Sequence, residues 1–443
     1  MRKKRNIAPS YSKPKYNKMK SHLMILAALM LLGACRKNES QITNRLDYEQ
    51  YLGSMEVPTS SKYFELWNSK IKPDSIQLSS FGVVAGEYQR YFKASGDIRY
   101  LQKAEQALER AVEIAAIGKA GYNRSLARNY ISQHRFREAL QLALTARKYG
   151  SGLKETYNLL FDIEMELGAF GNAEKYLDSI KDFSDFGYLI RLAKWNDHLG
   201  DTESAIAFME KAAAKAESSS NKSLMLWTYT NLADYYGHAG RISDSYSYYL
   251  RSLRIDPSDA YAKKGIAWII YSYEDNPGEA LRILDSVTEY HRAPDYYLLK
   301  SQIADYMGDD KKRLINLDQY FKTIKEPGYG DMYNTYSIAF YLDQAIQYDQ
   351  ALRLAETEVA NRPTPNSYGL LAYCYFKRGE LDKALDLVND HIAGRTEEPE
   401  ILLYVAEIFK AAGKVPETRE LKSKLLSSKF ELGPASDHII TNL

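Results

Sequence analysis

From Asn366 to Ile392 (NSYGLLAYCYFKRGELDKALDLVNDHI) the apolar positions fall into two helical sets separated by a glycine. Leu371, Ala372 and Tyr375 sit at i, i+1 and i+4, one face of a helix, and Leu381, Ala384, Leu385 and Val388 form a second face. Gly379 between them can take the positive φ that a helix C-terminus needs, which predicts a helix–turn–helix. Ala384 is small where a partner helix has to approach closely. Two helices of about three turns each cannot bury both apolar faces alone, so the hairpin requires copies of itself on either side.

Copies are present. With Ala384 as a marker, equivalent positions fall at Ala104, Ala139, Ala173, Ala205, Ser245, Ala280, Leu314, Ala351 and Thr418, at intervals of 32 to 40 residues. Twelve residues before the marker a second small residue recurs (Ala127, Ala193, Ala233, Ala339, Ala372, Ala406), preceded by an aliphatic one (Leu126, Leu192, Leu232, Ile338, Leu371, Val405). An aromatic recurs nine before it: Tyr130, Tyr236, Tyr271, Tyr375, Phe409. Pro257 and Pro363 lie where a second helix has to stop.

This pattern resembles the tetratricopeptide repeat, whose period is about 34 residues. The resemblance covers Asp74 to Lys429 and implies an all-α solenoid, a right-handed superhelix of nine to ten helix–turn–helix units. Three residues depart from it: large Leu314 at the marker, Gln302 at the small slot of the same unit, and Phe161 at that slot in the third. Those units are expected to be bent or poorly packed. In this family the first helices line an inner groove, with exposed positions fifteen, eleven and eight residues before the marker and a rim position at eighteen. Carried onto this chain, these positions give Arg124, Arg128, Asn158, Asp162, Lys194, Asp197 and Asp234 in the early units. In the later units they give Tyr296, Ile303, Tyr306, Tyr333, Tyr336, Phe340, Tyr373 and Phe376. The groove is thus expected to turn from polar to aromatic, a surface suited to peptides or sugars. Some relatives clamp a C-terminal carboxylate with Lys and Asn. Arg124 and Arg128 supply charge at two such positions, but the Lys and Asn partners are missing.

Charge redraws the N-terminal end. Eight Lys and Arg and no acidic residue precede Cys35; the rest carries 51 basic and 57 acidic residues, a net charge of −6. A mildly acidic body argues against nucleic acid as a partner. The apolar run Leu23 to Ala34 is too short to span a bilayer but suits a signal peptide. It ends Leu32-Gly33-Ala34-Cys35, which resembles a bacterial lipobox. That resemblance implies lipidation and cleavage at Cys35, and so a membrane anchor in the cell envelope. Met19 is an alternative start. Arg36, where an Asp would retain a lipoprotein at the inner membrane, favours the outer membrane. The organisation expected is a signal peptide (1–34), a tether (35–60), a capping helix (61–72), the solenoid (73–430) and a tail (431–443).

No nucleophile elbow, P-loop, dinucleotide fingerprint or HExxH is present. His198 and His238 share one repeat position, seven before the marker, with Asp197 and Asp234 nearby. They are the one candidate for a metal or acid–base pair, and polar turn residues are the plainer reading. Cys374 falls inside a helix, where a small buried side chain is the simple assignment. The expectation is a non-catalytic, lipid-anchored scaffold that holds a protein or extended peptide in its groove and uses no cofactor. Glycan capture at the cell surface is the alternative, although the long insertions that build sugar sites in helical-repeat lipoproteins are lacking. An envelope enzyme is the third.

Overall fold

Each recurrence of the apolar pattern becomes a pair of antiparallel helices. The computed structural model describes residues 41–53, 60–71 and 78–443, and among them there is no strand. The first five hairpins pair Leu78–Ser95 with Ile98–Ile114, Lys119–Ser132 with Phe136–Tyr149, Leu153–Glu166 with Phe170–Ser179, Phe186–His198 with Thr202–Ser218, and Lys222–His238 with Ile242–Ile255. The next five pair Ala260–Trp268 with Pro277–Thr288, Pro294–Tyr306 with Asp310–Ile324, Asn334–Asp343 with Tyr348–Asn361, Pro365–Lys377 with Leu381–Leu387, and Pro399–Ala411 with Val415–Ser427. The helix starts follow local chemistry. Asp97, Asp185, Asp201, Asn221 and Asp309 accept hydrogen bonds from backbone N–H groups of the first turn. Pro277, Pro294, Pro365 and Pro399 open four others.

The turn within each hairpin fixes the register. A residue with positive φ stands five before the marker in every hairpin from the second onward: His134, Gly168, Gly200, Gly240, Asp275, Gly308, Ile346, Gly379 and Gly413. Counting forward from Gly308 gives Arg313, not Leu314, as the marker of the seventh hairpin. Leu314 is 55% exposed, whereas the marker alanines 104, 139, 173, 205, 280, 351 and 384 are fully buried. The small slot of that hairpin is Ser301, fully buried, whose hydroxyl donates to the Arg313 carbonyl at 3.0 Å; Gln302 is exposed. The seventh unit is therefore regular, and the apparent departure is a slip of one residue. The sixth hairpin hides a second slip. Its first helix ends in a π-helical turn, Ile269–Tyr273, which adds a residue, so that buried Ala267 rather than Trp268 fills the small slot. Phe161 is accommodated in full burial within a cluster that includes Met165, Ala173 and Leu177.

The hairpins coil until the chain meets itself. The turn of the second hairpin touches the end of the eighth: Arg137 donates to the Ala360 carbonyl at 3.0 and 2.6 Å, and Asn361 donates to the His134 carbonyl at 3.1 Å. One hairpin further on, Arg362 Nη2 lies 2.8 Å from Glu166. The Arg292 N–H donates to the Ser95 carbonyl at 2.7 Å, and Trp268 Nε1 and the Ser272 hydroxyl donate to the Phe430 carbonyl. These contacts form a seam where the second turn of the superhelix rests on the first, and the first helices enclose a lumen.

Both ends are covered. Helix Lys62–Asn68 packs Phe64 against Val84 and Tyr91 of the first hairpin, which turns this ring inward. Residues 42–52, placed in the tether by sequence, are strapped onto the fifth and sixth hairpins instead. Glu274 accepts from the Ile42 and Thr43 N–H groups at 2.7 and 2.6 Å, and Tyr48 donates to Glu279 at 2.8 Å. Beyond Phe430, where a tail was expected, helix Asp437–Asn442 buries Ile440 against Leu403, Ala406 and Leu425. This helix covers apolar surface of the tenth hairpin in the way a neighbouring repeat does elsewhere.

Candidate functional site

Only some of the residues expected in the groove reach it. Arg128 lines the lumen beside Asp162, Arg191 and Lys194, and its carbonyl accepts from the Ser132 hydroxyl at 3.2 Å. Burial, with Arg124 and Arg191 alongside, holds its guanidinium below the ordinary value. Arg124 is already engaged: its Nη1 donates to Ser151 O at 2.8 Å and to Thr156 Oγ1 at 3.1 Å, fastening the second hairpin to the third. Tyr336 is 44% exposed and faces the lumen. Tyr333 packs against Tyr320, Tyr329 and Tyr336, and Phe340 against Phe321 and Tyr341. Phe376 lines a shallow hollow next to the C-terminal helix. Tyr306 lies at a turn, its hydroxyl donating to Asp275 at 2.8 Å.

Two rings face a neighbouring helix rather than the groove. Tyr373 is buried, stacked on Tyr404 with centroids 3.9 Å apart, and its hydroxyl donates to Glu407. Tyr296 is buried against His291, centroids 4.9 Å apart, and Ile303 is fully buried. Tyr296 and Ile303 follow directly from the slip at Leu314. Counted from Arg313, the same positions are Asp295, Leu298 and Gln302, and all three line the lumen.

Two chambers lie along the inner face, and a hollow at the seam adjoins the first through Lys194 and Asp197. The first, of about 490 Å³, is lined by Arg128, Asp162, Lys194, Asp197, Trp227 and Tyr235 among others. Two of the cations here are partnered: Arg191 meets Asp162 at 2.5 Å, and Lys194 meets Glu166 at 2.9 Å, whereas Arg128 has no ion-pair partner among the described residues. Burial opposes ionisation of Glu166, yet Lys194 and Arg362 outweigh it and hold the carboxyl below its usual range. The other chamber, of about 510 Å³, lies among Asp234, Tyr261, Lys264, Asp295, Tyr336 and Glu400. Asp234 accepts from Tyr249 at 2.5 Å and Tyr261 at 2.8 Å, and Lys264 pairs with Asp295 at 2.8 Å.

Carboxylates accumulate on this second side. Burial raises Asp234 and Glu400. Asp343 is pushed up to about 6, by burial with Glu400 and Glu407 adding to it against Lys377. Glu398 is pushed up to about 7, by burial and the neighbouring Glu400 and Glu431. Water reaches these groups, but protein surrounds them and cations are scarce.

His198 and His238 line one hollow at the seam together with Asp197, each against its own neighbour. His198 stacks on Phe170, centroids 3.9 Å apart, and burial lowers its pKa; His238 Nε2 lies 3.8 Å from Glu431 across the seam. Among the described residues no three His, Cys, Asp or Glu side chains are grouped to hold a metal ion. Cys374 is fully buried, and burial pushes its thiol up to about 12, far from a reactive thiolate. Cys35 lies outside the described residues.

Residues 228–259, which span most of the fifth hairpin, match the tetratricopeptide repeat family. The fold is a tetratricopeptide-repeat solenoid. Among curated proteins none matches the sequence. Of solved structures, a tetratricopeptide repeat protein from Parabacteroides merdae is 15% identical, covering 54% of this chain and 94% of that one, with a TM-score of 0.38. A human IFIT1 dimer with PPP-AAAA is 12% identical, covering 79% and 95%, with a TM-score of 0.43. Yeast Tom70 is 10% identical, covering 82% and 96%, with a TM-score of 0.34.

Proposed function

We propose that this tetratricopeptide-repeat solenoid is a non-catalytic scaffold that holds an extended segment of a protein partner in its lumen. One observation carries the reading: the lumen presents accessible aromatic and charged side chains, Tyr261, Tyr336, Arg128 and Glu400, in a space walled by repeats on several sides. Rings of this kind bury large area at low entropic cost and keep a hydroxyl for hydrogen bonding. The test is partner capture by a Tyr336→Ala variant. Loss of the partner with unchanged helical content supports the reading, and capture at wild-type yield counts against it.

The lipobox-like Leu32-Gly33-Ala34-Cys35 supports an envelope location with a lipidated Cys35, and Arg36 supports the outer membrane. Cys35→Ala should move the protein from membranes to the soluble fraction; retention in the membranes would point to a different anchor.

A further inference from the structure

We propose that the chamber between Tyr261 and Tyr336 is a pocket for a cationic side chain, Arg or Lys, of the bound segment; this rests on the lumen reading above. The charges decide it. Lys264 is cancelled by Asp295 at 2.8 Å. Asp234 receives only phenol hydroxyls, from Tyr249 and Tyr261, which satisfy its oxygens without neutralising them. Glu400, which lines the chamber, receives one hydroxyl, from Tyr404 at 2.7 Å on Oε1. Neither carboxylate has a salt-bridge partner among the described residues; only Lys264 and His238 act on Asp234, at longer range. An acidic ligand would be repelled, and a purely apolar one would bury both carboxylates unpaired.

The walls agree with the charge. Tyr261 and Tyr336 are 45% and 44% exposed, and Trp268, Leu298 and Ala339 complete the lining. Aromatic faces attract a cation, and apolar walls suit the methylene stem of Arg or Lys. A volume of about 510 Å³ holds such a side chain with the adjoining backbone.

The test uses the full-length mature protein and two fluorescent peptides, one of repeated Arg-Gly-Ser units and one of repeated Glu-Gly-Ser units. Anisotropy should show binding of the Arg peptide only. Glu400→Gln should weaken that binding about tenfold, the loss of one charge-assisted hydrogen bond, and Tyr261→Ala should weaken it as well with the fold intact by circular dichroism. Unchanged affinity in both variants overturns the proposal. So does free arginine amide binding as tightly as the peptide, which would make the chamber a small-molecule site. If the Glu peptide binds instead and Tyr336→Ala abolishes it, the cation pocket fails while the lumen reading stands. If neither peptide binds and Tyr336→Ala also leaves partner capture untouched, both fail.

Discussion

Gly168 and Gly379 occupy the same turn slot in the third and ninth hairpins, with φ of +68° and +81°. They differ in what surrounds them. A Cβ on Gly379 would meet nothing within 4 Å, whereas one on Gly168 would lie 2.7 Å from the Pro363 carbonyl oxygen and 3.3 Å from Thr364 Cα, across the seam. Gly379→Ala therefore isolates the cost of a left-handed L-residue, about 1–2 kcal/mol. Gly168→Ala adds a clash with backbone, which cannot rotate away as a side chain can. Overpacking of this kind costs about 1–3 kcal/mol more, for a total of about 2–5 kcal/mol. Urea midpoints of the two variants should rank in that order. Small-angle scattering should show a larger radius of gyration for Gly168→Ala and no change for Gly379→Ala. Equal midpoints with equal radii would mean that the second superhelical turn does not rest on the first in solution, and the enclosed lumen would be lost with it.

Three further outcomes follow from individual residues. Ile346 is β-branched, 66% exposed and held at φ 52°; Ile346→Gly should stabilise by about 1 kcal/mol, read as a raised melting temperature. Ser301→Leu should cost about 1–3 kcal/mol by overpacking a closed helix contact, while Gln302→Leu should be near neutral; the reverse order would restore the marker to Leu314. His291 is buried at the seam, and burial lowers its pKa to about 4. The folded state then binds fewer protons than the unfolded state below about pH 6.5, so this contribution holds above 6.5 and is lost as pH falls towards 4. At pH 5 the loss is about 2 kcal/mol, and His291→Gln should shrink the difference in stability between pH 7 and pH 5 by that amount; an unchanged difference would mean that this ring does not titrate on unfolding.

The repeat was legible because small residues recur at contacts that every hairpin must make, and because glycine marks most turns. What the sequence concealed has identifiable causes. His134, Asp275 and Ile346 adopt positive φ without being glycine, so these turns carry no glycine signal. The π-turn at Ile269–Tyr273 adds a residue that no composition reveals. The slip at Leu314 rotated the helix reading by about 100°, enough to select buried Tyr296 and Ile303 in place of Asp295 and Gln302. Aromatic content misled in the same direction: the rings at Tyr296 and Tyr373 hold neighbouring helices together, and the lumen owes as much to carboxylates as to phenols. The seam was not legible at all, since it joins segments far apart in sequence through the accumulated twist of intervening hairpins. The strap at residues 42–52 was hidden for the same reason, its partner Glu274 being an ordinary turn residue by sequence.

Site-specific photo-crosslinking in cells asks whether the partner lies in the lumen. A photoreactive residue at Tyr336, in the lumen, is compared with one at Ala214, exposed on a second helix of the outer face. One partner should crosslink at position 336, through a segment bearing Arg or Lys, and none at position 214. The same partner captured at 214 but not at 336 would place binding on the convex surface and contradict binding in the lumen.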